Sequence, residues 1–173
     1  MTDAQKPADA AAPAAAPEPT LADTLGIAGA TMRAEKDGIA TVVVPRESFA
    51  AAAAALQKAS FIRFVDVTVV DLVESGRADR FEVHLLVYSM KEKRYARVKA
   101  YTADKLPSVT AIFAAAHNYE REAFDLFGVV FEGHPSLTRI LLPDGWQGHP
   151  MRRDAEQPFE PVDFTVTREL YRT

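Results

Sequence analysis

Apolar and polar positions alternate with a period of two over three consecutive stretches of the chain. From Phe61 to Glu74, Val65, Val67 and Val69 fall on one face, with Asp66 and Thr68 on the other. From Arg80 to Met90, Phe81, Val83, Leu85 and Val87 alternate with Glu82, His84 and Tyr88. After Lys91-Glu92-Lys93, the stretch Arg94 to Thr102 sets Ala96, Val98 and Ala100 against Arg97, Lys99 and Tyr101. Side chains of a strand point alternately to opposite faces, so each stretch predicts a strand with one wet face. His84 falls on that polar face.

Upstream, Leu21 to Leu25 predicts a short amphipathic turn. Ala30 to Glu35 and Ile39 to Val44 then flank Lys36-Asp37-Gly38. Asp-Gly between two strand-like runs signals a hairpin, because glycine takes the positive φ the turn requires. Pro45 stops the second strand, and the spacing becomes helical over Arg46 to Ala59, with Phe49, Ala52, Leu56 and Ala59 in one stripe. A last helix is predicted to open at Pro107-Ser108, capped by Ser108 or Thr110, with Ile112, Ala116, Tyr119, Ala123 and Leu126 as a stripe running to Phe127. Gly128 stands where a helix end favours the left-handed conformation. The order αββαβββα predicts an α+β fold in two layers: a mixed or antiparallel sheet of about five strands, helices on one face, and an extended C-terminal arm.

Composition narrows the function classes. With 173 residues, 48% of them hydrophobic, the chain holds apolar material for one core rather than two. A net charge of -4 argues against a nucleic-acid binder. Cysteine is absent, which removes disulfides, thiolate nucleophiles and the usual ligands of an iron–sulfur cluster. No run approaches the roughly 20 apolar residues of a membrane-spanning helix. Between Met1 and Met32 the one basic residue is Lys6, against Asp3, Asp9, Glu18 and Asp23, unlike an Arg-rich transit peptide, so a bacterial cytoplasmic location is expected. Residues 1–20 are Ala/Pro low-complexity sequence broken by Pro7, Pro13, Pro17 and Pro19, and read as a disordered tail. Residues 21–150 form the predicted domain. Residues 151–173 carry Phe159, Val162, Phe164, Val166, Leu170 and Tyr171 without a period, as expected of an arm that packs on another subunit.

Residues that demand a particular backbone are densest between Asn118 and Asp154. Glu120, Arg121, Glu122 and Asp125 lie in the last turns of the predicted helix, where three acids oppose the macrodipole. They read as a solvated face with an Arg121–Asp125 pair, as a charge network with Arg139, Arg152 and Arg153, or as paired carboxylates for acid/base work. Gly133-His134-Pro135 and Gly148-His149-Pro150 are rigid kinks that shape the chain, or that project two imidazoles towards a metal with Glu120 or Glu122. Leu142-Pro143-Asp144-Gly145 reads as a β-turn. Trp146 follows on a loop, as a cap over the core or as a docking anchor. No dinucleotide-binding or phosphate-binding glycine loop is present, and no Gly-x-Ser-x-Gly elbow. From the residues alone, the chain is a soluble α+β interaction module without an active site of its own.

Glu120-Arg121-Glu122, Asp125, Phe127-Gly128, Gly133-His134-Pro135, Leu137, Arg139-Ile140-Leu141, Pro143, Trp146 and Gly148-His149-Pro150 together resemble one family. It is the 30-kDa subunit of respiratory complex I, the C subunit of bacterial NADH-quinone oxidoreductase. The likeness runs from Asn118 to Asp154, and more loosely back to Phe61 through Arg80-Phe81-Glu82-Val83 and Pro107-Ser108-Val109-Thr110. This chain departs at His117-Asn118-Tyr119, where relatives show Asn-Trp-Tyr. It departs again at Met151-Arg152-Arg153-Asp154-Ala155-Glu156, where relatives read Leu-Arg-Lys-Asp before an aromatic and Pro. These departures bear on local docking contacts. Having His149 where photosynthetic relatives tend to carry Trp resembles the respiratory form.

The resemblance implies a subunit of the peripheral arm of a proton-translocating NADH:quinone oxidoreductase, on the cytoplasmic face of the bacterial inner membrane. Such a subunit has no catalytic, cofactor-binding or metal-binding residues of its own, flavin and iron–sulfur clusters being held by partner subunits. Its chief partner is the large quinone-site subunit of the 49-kDa type, and its membrane association runs through the complex. The motif residues, including Pro135, Pro150, Arg152, Arg153 and Asp154, are then interface positions. Two alternatives stand beside this one: the equivalent subunit of a membrane-bound hydrogenase-type or photosynthetic complex, and a stand-alone metalloenzyme using His134 and His149.

Overall fold

The computed structural model describes residues 21–76 and 78–155. The predicted tail, and the predicted arm beyond Ala155, lie outside the described residues. The described residues begin with α1 (Leu21–Leu25) and the hairpin of β1 (Thr31–Arg33) and β2 (Ala40–Val44), with Thr31 opposite Val43. The predicted turn chemistry is present: Gly38 has φ 71°, and the Ile39 N–H donates to Asp37 Oδ1 at 3.1 Å. After a 3-10 turn at Arg46–Ser48, α2 (Phe49–Lys58) buries Phe49, Ala52, Ala53 and Leu56.

The three alternating stretches form β3 (Arg63–Asp71), β4 (Phe81–Ser89) and β5 (Arg94–Thr102). The five strands lie in the order β1-β2-β5-β4-β3, with β2 and β5 parallel and the other neighbours antiparallel. Register stacks the apolar face in rows: Val42, Val98, Leu85 and Val67 in one, Val44, Ala100, Val83 and Val69 in the next. These rows and the buried side chains of α1, α2 and the last helix make one core. On the opposite face Lys99 is buried among polar groups, 2.7 Å from Glu35 and 2.8 Å from Glu82, and Glu82 also meets His84 at 2.7 Å.

Two expectations need correction. A bulge between Phe64 and Asp66 shifts the register of β3, so Phe64, not Val65, joins Val67 and Val69 on the core side, where its ring lies 5.1 Å from that of Tyr119. The last helix, α3 (Ala116–Phe127), opens not at Pro107-Ser108 but at Ala116, and without a side-chain cap. The intervening residues instead form β6 (Lys105–Pro107), paired in parallel with β7 (Val130–Glu132), followed by turns. Ser108 is diverted from capping because its hydroxyl bonds to Glu120 Oε2 at 2.6 Å.

Candidate functional site

The face of α3 that enters the core carries Ala116, Glu120 and Ala123, whereas Asp125, also buried, lies on the opposite side of the helix, covered by the chain that follows it. Tyr119 of the predicted stripe is exposed instead. Two of the three acids are thus fully buried, and the solvated-face reading holds for Glu122 alone. Asp125 accepts hydrogen bonds from three successive backbone N–H groups, Ile140 at 3.0 Å, Leu141 at 2.8 Å and Leu142 at 2.9 Å, and from Arg139 Nη1 at 2.7 Å. Burial pushes its carboxyl up, but these donors outweigh burial and bring the pKa down to about 2. Arg121 does not pair with Asp125; its guanidinium donates to the Thr138 and Arg139 carbonyls at 3.0 and 2.9 Å.

The carboxyl end of α3 is closed by the chain that follows it. Gly128 adopts φ 77° and donates its N–H to Phe124 O at 2.8 Å. A helix end leaves carbonyls without intrahelical donors; here His149 Nδ1 donates to Asp125 O (2.9 Å), the Met151 N–H to Leu126 O (3.1 Å) and Arg152 Nε to Phe127 O (2.6 Å). Both Gly-His-Pro triplets bend at a positive-φ glycine, Gly133 at 85° and Gly148 at 83°. His149 caps the helix. His134 stacks on His117 with centroids 4.7 Å apart, donates from Nε2 to the His117 carbonyl and accepts the Ser136 N–H at Nδ1. That pattern is the neutral imidazole, and burial lowers the pKa of His134 accordingly. Among the described residues no three His, Asp or Glu side chains are grouped to hold a metal.

Met151 to Ala155, assigned by sequence to the arm, pack on their own domain. The Arg153 N–H donates to Asp71 Oδ2 at 3.1 Å, and Arg80 bridges Asp71 (2.6 Å) and Asp154 (2.5 Å). Arg153 also pairs with Glu74. Asp71 is not singled out by the sequence pattern, although it continues the core-facing series Val67 and Val69, where a carboxylate requires a buried partner. The resulting loop, 137–155, is fixed on both sides. Its turn spans Pro143 to Trp146, one residue later than predicted, with Gly145 at φ 84°. Trp146 does not roof the core: it is 39% exposed, and Ile140, Leu141 (59%) and Met151 (56%) of the same loop are exposed as well.

Fold and site together define an α+β module that presents a preorganised apolar loop. The chain belongs to the family described as respiratory-chain NADH dehydrogenase, 30 Kd subunit, which matches residues 42–160. It is 40% identical over 144 residues to the NADH-quinone oxidoreductase C subunit of Acidithiobacillus ferrooxidans, covering 78% of this chain and 71% of that protein. It is 42% identical over 97 residues to the corresponding protein of Roseiflexus castenholzii, covering 54% of this chain; the chain spans 56% of that relative's length. Among solved structures, a trypsin-resistant fragment of Nqo5 aligns with a TM-score of 0.58 at 32% identity, over 63% of this chain and 90% of the fragment. A chain of the membrane-bound sulfane sulfur reductase, an archaeal respiratory membrane complex, shares the fold with a TM-score of 0.67 at 23% identity, over 78% of this chain and 82% of that one.

Proposed function

We propose that this chain is a structural subunit of the peripheral arm of a proton-translocating NADH:quinone oxidoreductase, packing against the large quinone-site subunit of the 49-kDa type. The observation that carries the reading is the loop 137–155. Hydrogen bonds to Asp125 and to the end of α3 order it before any partner arrives, while Ile140, Leu141, Trp146 and Met151 remain exposed. Preorganised apolar anchors lose little entropy on docking, and tryptophan is enriched among residues that dominate interfaces. The absence of cysteine supports a subunit with no iron–sulfur cluster, its partners holding the clusters and the flavin. Among the described residues no helix is long and apolar enough to cross a membrane. In this reading the chain therefore meets the membrane through the complex, on its cytoplasmic face.

The test is co-purification of the tagged chain from detergent-solubilised membranes. The expected result is recovery with NADH-oxidising, quinone-reducing activity and the large subunit. Leu141→Asp with Trp146→Ala should cut that recovery at least tenfold while circular dichroism of the isolated chain stays unchanged. Recovery with a complex that does not oxidise NADH would assign the chain to a hydrogenase-type assembly instead.

A further inference from the structure

Two fully buried carboxyl groups on α3 sit in opposite surroundings. Asp125 faces a guanidinium and three backbone N–H groups. Glu120 has the Val109 N–H 2.7 Å from Oε1 and Ser108 Oγ 2.6 Å from Oε2, and among the described residues no cation reaches it. On α3 itself, Arg121 is turned to the Thr138 and Arg139 carbonyls, Glu122 is exposed, and His117 stacks on His134. From the β6–β7 pair, Lys105 and Glu132 hold each other at 2.9 Å. From β3, Arg63 is exposed, Asp66 belongs to the far face of the sheet, and Asp71 is held by Arg80.

An ionised carboxylate buried without a counter-ion costs far more than a neutral one. Burial accordingly raises the Glu120 pKa to about 7, the bonds from Ser108 and Val109 opposing it in part. The neutral form matches its neighbours. Oε1 accepts the Val109 N–H, and a proton on Oε2 is donated to Ser108 Oγ, which pairs with Thr110 Oγ1 at 2.7 Å.

We propose that Glu120 is a proton-operated latch: protonated, it holds segment 108–115 against α3, and on losing its proton to water it lets that segment open. The inference goes beyond membership of any complex and does not depend on it. The segment, not the helix, gives way, because α3 is closed at its end by His149, Met151 and Arg152 whereas 108–115 is built of turns. Opening lifts Val109 and Phe113, both buried, and hydrates the carboxylate. A hydrated Glu120 returns to its ordinary value of 4.5, so one proton leaves with each opening between pH 4.5 and about 7. The opening constant then rises about tenfold per pH unit across that window and levels off above it.

Amide hydrogen exchange of the full chain, divided by the intrinsic exchange rate at each pH, reads the latch directly. Protection over Val109 to Phe113 should fall about tenfold per unit between roughly pH 5 and 6.5, and Glu120→Gln should abolish that slope. Ser108→Ala keeps the carboxyl but removes the hydroxyl at Oε2, so the upper end of the window should shift with the closed-state Glu120 pKa while the lower end, set by the hydrated carboxyl, stays near 4.5. A carbon-13 titration of Glu120 in the wild-type chain should have its midpoint near 7. Protection independent of pH, a slope that survives in Glu120→Gln, or a Glu120 midpoint in the ordinary carboxylate range would each overturn the proposal. Should Glu120→Gln not fold, the wild-type titration and Ser108→Ala decide it.

Discussion

Asp125 and Arg139 meet at 2.7 Å across the end of α3, the carboxylate fully buried and the guanidinium partly so. Arg139 comes from fourteen residues downstream and also donates to Gly148 O at 3.1 Å. One residue thus neutralises a buried acid at the negative end of a helix dipole and ties together both halves of the loop 137–155.

Arg139→Ala should leave Asp125 charged, buried and reliant on three backbone donors. Removing one member of a buried pair typically costs about 3–5 kcal/mol, and the remaining N–H groups put this case near the low end, at about 3 kcal/mol. Asp125→Asn should cost a similar amount, because its amide nitrogen faces N–H groups that need an acceptor. The double variant should fall well short of the sum, as residues that share one interaction are not additive. Urea unfolding of the four proteins checks this, additive losses being the contrary outcome.

Gly128 and Gly133 both have positive φ, yet their substitution should differ. A Cβ on Gly128 would collide with Arg152 Nη2 and lie 2.5 Å from His149 Nε2, whereas one on Gly133 meets nothing within 4 Å. Gly133→Ala should therefore lose only the left-handed backbone term of about 1–2 kcal/mol. Gly128→Ala should lose that and also displace the two side chains that cap Asp125 and Phe127. The measurement is unfolding free energy together with susceptibility of residues 148–155 to proteolysis, which should rise in Gly128→Ala and stay unchanged in Gly133→Ala.

The strands are readable in the sequence because their faces are imposed locally: Phe81, Val83, Leu85 and Val87 bury one face whatever lies opposite. The parallel pairing of β2 with β5 is not, since alternation fixes a face but not a neighbour. The helix start is misread because Ser108 and Thr110 are good caps in isolation, and what diverts Ser108 is a carboxylate twelve residues on. For the same reason the pattern does not separate Glu120 and Asp125, both buried, from Glu122, which is exposed. Only the fold reveals that three backbone N–H groups converge on Asp125. The excess of acid at the helix end points correctly to a downstream arginine, but not to Arg139 over Arg152 or Arg153. Nor does it show that Arg152 serves a carbonyl and Arg153 serves Asp71 and Glu74.

The two buried carboxyls of α3 should give the stability curve two limbs of opposite sign. Asp125 has a folded pKa of about 2 against an ordinary 3.8, so its contribution is complete above 3.8 and disappears as pH falls towards 2. At 1.36 kcal/mol per unit that shift is worth about 2 kcal/mol. Asp71 and Asp154 act in the same direction: burial raises Asp71 but the bonds from Arg80 and the Arg153 N–H outweigh it, and the bond from Arg80 lowers Asp154. Glu120 works the other way. Its folded pKa lies above its ordinary 4.5, so the stability it confers is complete below 4.5 and declines as pH rises to about 7. Chemical denaturation across this range should show a rise out of acid and then a fall towards neutrality. The difference between wild type and Glu120→Gln should isolate the neutral limb, and Asp125→Asn should flatten part of the acid limb while leaving the neutral one in place. A falling neutral limb that persists in Glu120→Gln would show that Glu120 is not its source; His134 cannot supply it, because a histidine held below its ordinary 6.5 makes stability rise, not fall, with pH through that range.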